Sequence, residues 1–423
     1  MNYSDAMEFI GGFSKSGAPV KDLSRAQQLM DSLGNPEKQL RFVHIAGTNG
    51  KGTTLEFVSE VLMDAGYTTG QFTSPFILRY NDRIRINGRE IPDDDLARIC
   101  GRVAENVGER RDFSQFEITM AIAMLFYLEN NCDIVVLEAG IGGLLDCTNI
   151  IPAPEVAVIT SVSLDHTAIL GDSVEKIAFQ KAGIIKPGSD VVCGCSVPPE
   201  ALKVIREACG KCGAKLNIAE NEFYASFDEQ GLKLISGTVP FRLKMNSLPA
   251  WSNHRTALEV CLRLQMRGFD ITLDNIVDGT ERAMVIGRTE FIPGEPGVLL
   301  DGGHNPEGVD GLAESVQFYT NGQMPVFAVT GMISTKDFGY CIRRIAGFSR
   351  KVLTVDDFAP NAVDAGELAA VAGDNAEAVG SLAEAYKQAR SLAGECGGMV
   401  VVCGSLYLVS EFAGSDLYRG VGK

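Results

Sequence analysis

Short, continuously apolar runs bounded by turn residues recur along the chain: Phe42–Ala46, Ile134–Leu137, Val156–Thr160, Val191–Cys193, Val298–Leu300, Val326–Thr330, Val352–Val355 and Met399–Cys403. Between them lie segments whose apolar residues repeat at helical spacing, among them Thr54–Ala65, Glu117–Leu128, Val174–Ala182 and His254–Arg267. Strands without polar alternation, separated by amphipathic helices, predict βαβ units and a mostly parallel sheet buried on both faces. Functional loops then belong at the carboxyl ends of the strands. Glu222 to Leu243 departs from this pattern, alternating apolar and polar residues about Glu229-Gln230-Gly231, and predicts a hairpin that covers or extends the first domain. The Gly/Pro-rich stretch Val285–Gly297 precedes a fresh βαβ series and marks a boundary between domains spanning 1–285 and 286–423.

With 423 residues the chain is long enough for two or three domains, each with its own core. Lys and Arg number 38 against 54 Asp and Glu, a net charge of −16, which excludes holding nucleic acid or an anionic membrane by bulk charge. Anionic ligands remain compatible, because charges beyond about 8–10 Å are screened at physiological salt. No apolar run of membrane-spanning length is present, and Met1–Ile10 lacks the basic start of a signal peptide. Eleven scattered cysteines, an odd number, predict reduced thiols and a cytoplasmic location. Cys193, Cys195, Cys209 and Cys212 have zinc-like spacing, but they fall at a strand end and around a helix predicted over Pro199–Ala208 and ending at Gly210, so buried or loop thiols are the simpler reading.

The strongest chemical signal is Gly47-Thr48-Asn49-Gly50-Lys51-Gly52-Thr53-Thr54, which follows a strand and opens a helix. Glycines let successive N–H groups turn toward one anion, and the helix start adds partial positive charge. Lys51 reaches β- and γ-phosphates, and a Thr53 or Thr54 hydroxyl suits Mg²⁺. Gly52 interrupts the usual G-K-[ST] order.

This loop resembles the GTNGKG[ST] loop of the Mur ligase superfamily, in the form typical of folylpolyglutamate synthases and dihydrofolate synthases. Further segments resemble that family in the same order. They are Thr73-Ser74-Pro75 with Arg79–Gly88, Leu137–Asn149, Asp165-His166, Leu170-Gly171-Asp172, Lys181–Lys186, Asp301–Pro306 and Gly404–Val409. The resemblance implies a P-loop ATPase domain followed by a smaller Rossmann-like domain. It also implies an ATP-dependent ligase that activates a carboxylate as an acyl phosphate and joins it to L-glutamate, with dihydropteroate or a reduced folate as acceptor. The family expectation is a monomer.

Residue by residue, the resemblance implies a first magnesium at Thr53, Ser74 and Glu138, and a second at His166 and Lys181, the latter carbamylated. Without it, Lys181 reads as a solvated helix lysine and His166 as a structural histidine. Asn253, Arg288 and Asp301 are implied nucleotide contacts, with His304 and Asp301 near the γ-phosphate and the incoming glutamate. For Asn253, a helix N-cap is an equally good physical reading. Asp22, Leu23, Ser24, Gln115, Phe116, Glu117, Leu145, Asp146 and Cys147 fall where the family holds the pterin end of its substrate. The run Arg79, Arg83, Arg85 and Arg89 reads either as a receptor for a polyglutamate tail or as a solvated face.

Three positions depart from the family pattern: Phe76 replaces His, Leu144 replaces Arg and Gln180 replaces Glu. Losing a charged hydrogen bond at Leu144 would weaken an anionic contact by about 1.5–3 kcal/mol. The phosphate and magnesium residues are retained, which favours an altered substrate preference over loss of activity. The rivals are a superfamily ligase for another carboxylate, peptidoglycan precursors being disfavoured by the GTNGKG loop, and a non-catalytic nucleotide-binding regulator.

Overall fold

A computed structural model describes residues 1–14, 22–220, 224–228, 231–236 and 239–421, with backbone alone at 224–228 and 231–232. The chain divides into two compact units, one of Met1–Tyr224, Ile235–Phe241 and Ser252–Ala283, the other of Ala225–Leu234, Arg242–Trp251 and Met284–Lys423.

In the first unit eight strands form one sheet: β1 Phe42–Ala46, β2 Thr69–Phe72, β3 Ile84–Ile86, β4 Arg89–Glu90, β5 Ile134–Glu138, β6 Val156–Ile159, β7 Asp190–Cys193 and β8 Lys215–Ile218. Their order is β4-β3-β2-β5-β1-β6-β7-β8. The strands from β2 to β8 pair in parallel, whereas β3 and β4 are added antiparallel. Every residue of β1, β5 and β6 is buried, the burial that continuous apolar runs demand of a sheet covered on both faces. In register, Ile45 lies opposite Glu138 and Ala46 opposite Ile159. The loops leaving β1, β5 and β6 therefore emerge side by side.

In the second unit β12 Glu290–Ile292, β13 Val298–Asp301, β14 Val326–Thr330, β15 Lys351–Val355, β16 Ala376–Gly380 and β17 Met399–Cys403 form a sheet in the order β12-β13-β17-β14-β15-β16. Only β12, at the edge, runs antiparallel to its neighbour. Asp301 pairs with Cys403, so the loops after β13 and β17 adjoin.

The segment expected to form a hairpin supplies β9 Tyr224–Asp228 and β10 Gly231–Ser236 as neighbouring strands two residues apart, and with β11 Val239–Phe241 they form a three-stranded sheet of their own, order β11-β10-β9, which does not extend the eight-stranded one. Of its expected turn, Glu229 and Gln230 lie outside the described residues. The helix expected to end at Gly210 runs from Pro199 to Cys212 and stops at Gly213 in the left-handed region, so Cys209 and Cys212 are helical. All eleven cysteines are free thiols. Among the described residues no helix is long and apolar enough to cross a membrane.

Candidate functional site

The loop after β1 leads into the helix Lys51–Asp64, whose N-cap, Gly50, has φ +83° and offers no side-chain cap. The first four N–H groups of a helix have no partner within it. Here no cap side chain takes them, which leaves the first turn, residues 51–53, suited to an anion. Lys51 Nζ donates to the Gly47 and Thr48 carbonyls at 3.1 and 3.2 Å and stands 3.9 Å from Glu138 Oε1. The Thr48 and Asn49 amides point the other way, to Ser161 O at 2.9 Å and Ser161 Oγ at 3.0 Å. Of the sequence-predicted cradle, these two N–H groups thus face the neighbouring loop and not the open helix end.

Gly50 is required twice over: its backbone is left-handed, and a Cβ there would sit 2.2 Å from Asn253 Oδ1. Asn253 lies within the helix Leu248–Met266, which removes the N-cap reading and sets its amide against the loop. The next residue, His254, is fully buried with neither ring nitrogen hydrogen-bonded, edge-on to Phe57 at 5.3 Å and Phe241 at 4.6 Å.

Glu138 is buried at the end of β5 and accepts the Ser74 amide at 3.1 Å. A Cβ on Gly52, one residue before the buried Thr53, would lie 3.8 Å from Glu138 Oε2. A carboxylate with a serine bonded to it through its amide and a threonine close by in the chain offers the hard-oxygen donor types that fit Mg²⁺, an ion that keeps several waters. Among the described residues no three His, Cys, Asp or Glu side chains form a metal-holding group. His166 follows β6 in the left-handed region (φ +49°), with Nε2 3.9 Å from Asp165. Lys181 is buried in the helix Val174–Ala182, which overturns the solvated-lysine reading.

Two of the residues assigned to the pterin end, Phe116 and Asp146, meet at Gly140. A Cβ on Gly140 would lie 2.8 Å from the Phe116 ring and 3.2 Å from Asp146 Oδ2. Asp146 is buried and receives Ile141 N at 2.9 Å, Thr148 N at 3.0 Å and Thr148 Oγ1 at 2.6 Å. Burial raises its pKa in spite of these bonds. Because Thr148 Oγ1 donates to Asp146, the 2.9 Å contact to His44 makes His44 Nε2 the donor. Burial, helped by Lys186, holds that imidazole neutral with a pKa pushed down to about 3. Lys186 donates to the carbonyls of Asn149 and Ile151, fastening the same loop.

Glu117 is engaged within the protein: its carboxylate closes a capping box with Ser114 at the start of the helix Gln115–Glu129 and pairs with Arg25 Nε at 2.8 Å. Gln115 Nε2 donates to Phe13 O at 2.9 Å. Asp22 accepts the Ser24 amide at 2.9 Å, one residue before Arg25. Arg25 itself was not anticipated; its sole sequence signal is adjacency to Asp22-Leu23-Ser24.

The arginine run is largely committed to internal partners. Arg85 forms a buried ion pair with Glu56 at 2.8 Å, and Arg79 pairs with Asp93 and, at 3.5 Å, with Glu90. Arg83 lies over the rings of Phe76 at 5.2 Å and Tyr80 at 5.6 Å, so Phe76 packs under a cation. The other two departures are neighbours: Leu144 N donates to Gln180 O at 2.7 Å.

In the second unit, Asp301 ends β13 and is buried, accepting Thr289 N and Oγ1 at 2.9 Å each and Gly303 N at 2.7 Å. Burial raises its pKa, against these bonds and the opposing pull of Arg288. His304 Nδ1 lies 2.8 Å from Gly302 O. A carbonyl only accepts, so Nδ1 carries the proton and Nε2 the lone pair of the neutral ring.

Two family models match this chain, the Mur ligase middle domain over residues 45–193 and the Mur ligase glutamate ligase domain over residues 287–406. Among curated proteins, the chain is 33% identical to the dihydrofolate synthase/folylpolyglutamate synthase of Bacillus subtilis, covering 97% of this chain and 98% of that protein. It is 31% identical to the folylpolyglutamate synthase of Lacticaseibacillus casei, covering 97% of each. Among solved structures it superposes on E. coli FolC in complex with DHPP and ADP with a TM-score of 0.87, at 27% identity over 99% of this chain and 98% of that one. The bifunctional folylpolyglutamate synthase/dihydrofolate synthase of Yersinia pestis, complexed with AMPPNP and a Mn ion, gives a TM-score of 0.85 at 28% identity over 98% and 97% of the two chains.

Proposed function

Because the chain belongs to the dihydrofolate synthase/folylpolyglutamate synthase family of Mur ligases, we propose that it joins L-glutamate to dihydropteroate or a reduced folate at the expense of ATP. The acceptor's carboxylate attacks the γ-phosphorus and ADP leaves; the glutamate amine then attacks the acyl carbon and phosphate leaves with formation of the amide. Residues 1–285 form the ATP-binding domain and 286–423 the ligase domain in this reading, and the enzyme acts as a monomer.

The observation that carries the proposal is the uncapped start of the helix Lys51–Asp64 with Lys51 and Glu138 beside it. Phosphoryl transfer needs positioning and neutralisation of charge more than a protein nucleophile. The helix start and Lys51 supply fixed positive potential for the phosphates, while Asn253 meets the adenine end. Thr53, Ser74 and Glu138 would hold one Mg²⁺, and His166 with a carbamylated Lys181 a second; bound magnesium neutralises charge on the transferring phosphoryl group. On the second unit, Arg288 and Asp301 are the residues proposed for nucleotide contact. His304, with its lone pair on Nε2, takes the proton released by the attacking amine. Phe116, Asp146 and Cys147 hold the pterin end, with Gln115 and Glu117 shaping that pocket.

The test is phosphate release from ATP with Mg²⁺, L-glutamate and either dihydropteroate or tetrahydrofolate. Release with either acceptor supports the reading and assigns the synthase type. Release that requires a different carboxylate would overturn the folate assignment, and ATP binding without turnover would make the protein a regulator.

A further inference from the structure

A loop that binds phosphate through its amides must have its carbonyls turned away, and each inward carbonyl then needs a donor. In this loop the Gly47 and Thr48 carbonyls are taken by Lys51. The Asn49 carbonyl is taken by the segment that follows β6, through Thr160 Oγ1 at 2.6 Å and Ser161 Oγ at 3.3 Å. The same Ser161 hydroxyl accepts the Asn49 amide at 3.0 Å, and the Ser161 carbonyl accepts the Thr48 amide at 2.9 Å. Two residues on, Ser163 N donates to Thr48 Oγ1 at 3.1 Å, and Thr48 Oγ1 donates to Ser163 O at 3.2 Å. Three consecutive peptide groups, from Gly47–Thr48 to Asn49–Gly50, are thereby fastened to the segment leaving β6.

The fit is steric as well as polar. A Cβ on Gly47 would lie 1.8 Å from Thr160 Oγ1, so the threonine hydroxyl occupies the space that the glycine leaves. Thr160 is 2% exposed and Ser161 5% exposed. Hydrogen bonds at that depth face little competition from water, and a missing partner leaves a carbonyl desolvated and unsatisfied. The segment continues through Ser163 to Asp165 and His166, so one stretch of chain both shapes the phosphate loop and carries the histidine implied for the second magnesium.

We propose that Thr160 and Ser161 are positioning residues for the nucleotide phosphates: their hydroxyls lock the Asn49 peptide so that the first helical turn presents its amides to the anion. The inference rests on the ATP-site reading above and adds to it residues that touch no substrate. It predicts a hydroxyl requirement at position 160, which a purely packing role does not.

The experiment compares Thr160→Val, which keeps the shape and loses the hydroxyl, with Thr160→Ser, which keeps the hydroxyl, and with Ser161→Ala. ADP binding is measured by calorimetry alongside KM for ATP and for the acceptor. Thr160→Val is expected to weaken ADP binding and raise KM for ATP by about fivefold to tenfold, the worth of one buried hydrogen bond, while KM for the acceptor stays within twofold. Thr160→Ser should bind ADP within twofold of the parent protein, and Ser161→Ala should fall between it and Thr160→Val. If Thr160→Val binds ADP as tightly as the parent, or Thr160→Ser is as damaged as Thr160→Val, the proposal is overturned. Should Thr160→Val not fold, an ADP affinity of Ser161→Ala equal to that of the parent overturns it equally. Failure of the parent protein itself to bind ADP would instead remove the ATP-site reading.

Discussion

Each unit contains a strand, a glycine-bearing loop and a helix in immediate succession, and the two helix starts are finished in opposite ways. In the first unit, Gly50 caps the helix Lys51–Asp64 with no side chain. In the second, Asn305 caps the helix Pro306–Thr320: its Oδ1 accepts the Gly308 amide at 2.9 Å, and Pro306 sits at the first turn, where its missing N–H costs nothing. The second helix start is satisfied by its own chain. The first has no cap side chain and carries Lys51 at its mouth with a buried carboxylate alongside, a helix start whose dipole suits an anion. The same local topology is closed by a side chain in one unit and, in the proposed reading, turned to phosphate binding in the other.

Lys51→Ala attacks the open end directly and carries the largest expected effect, a fall in kcat of about 10²–10³-fold with an unchanged circular-dichroism spectrum. Turnover retained at the parent rate would show that the open helix end is not the phosphate site.

Buried histidines give the first unit an expected sensitivity to acid. His44 and His254 of the first unit are buried with pKa values pushed down to about 3, by burial first and then by Lys186 and Arg255 respectively. Between pH 6.5 and 3 the unfolded chain binds these two protons and the folded one does not, so stability is lost as pH falls through that window. Each histidine should cost about 2 kcal/mol on going from pH 7 to 5, read from urea unfolding midpoints. Asp146 and Asp301, held above the ordinary carboxylate range by burial, protonate first in the folded state and oppose the trend. His254→Phe isolates the effect: it removes two unsatisfied ring nitrogens between Phe57 and Phe241, and the loss of stability from pH 7 to 5 should shrink by about 2 kcal/mol. A pH dependence identical to that of the parent would show that His254 is not neutral and buried.

Gly50→Ala tests why the open end needs a glycine. Its left-handed backbone should cost about 1–2 kcal/mol of stability, and displacement of Asn253 should weaken ADP binding as well. The smallest change belongs to the closed end, where Asn305→Ala should lower stability by about 1 kcal/mol through loss of its cap. If Asn305→Ala impaired ADP binding as severely as Lys51→Ala, the contrast between the two helix starts would fail.

What could be read without coordinates was local. The apolar runs predicted β1, β5, β6, β7, β13, β14, β15 and β17 to within a residue or so, because a strand buried on both faces must be continuously apolar. The short edge strands β3 and β4 and the partly exposed β8 carry no such pattern, whereas the alternation over Glu222–Leu243 did announce strands, though not that they form a sheet of their own. The helices Lys51–Asp64 and Leu248–Met266 begin earlier than their apolar spacing implied. For Asn253 that shift changes the meaning, from a cap to a side chain set against the loop.

By itself the sequence determined the chemistry on offer: a glycine-rich turn entering a helix, a lysine to meet phosphate, a carboxylate at a strand end, and a net charge of −16 that forces anion binding onto a few fixed groups. The tertiary structure alone decided which of those groups meet. Parallel pairing of β1 with both β5 and β6 sets Glu138 and Thr160 on either side of a loop that lies roughly a hundred residues away in the chain. It also buries Lys181, ties Asp146 to His44 through Thr148, and commits Arg79 and Arg85 to internal partners. Strand order is chosen by the packing of whole faces, and no local window of sequence records which strand will lie beside which.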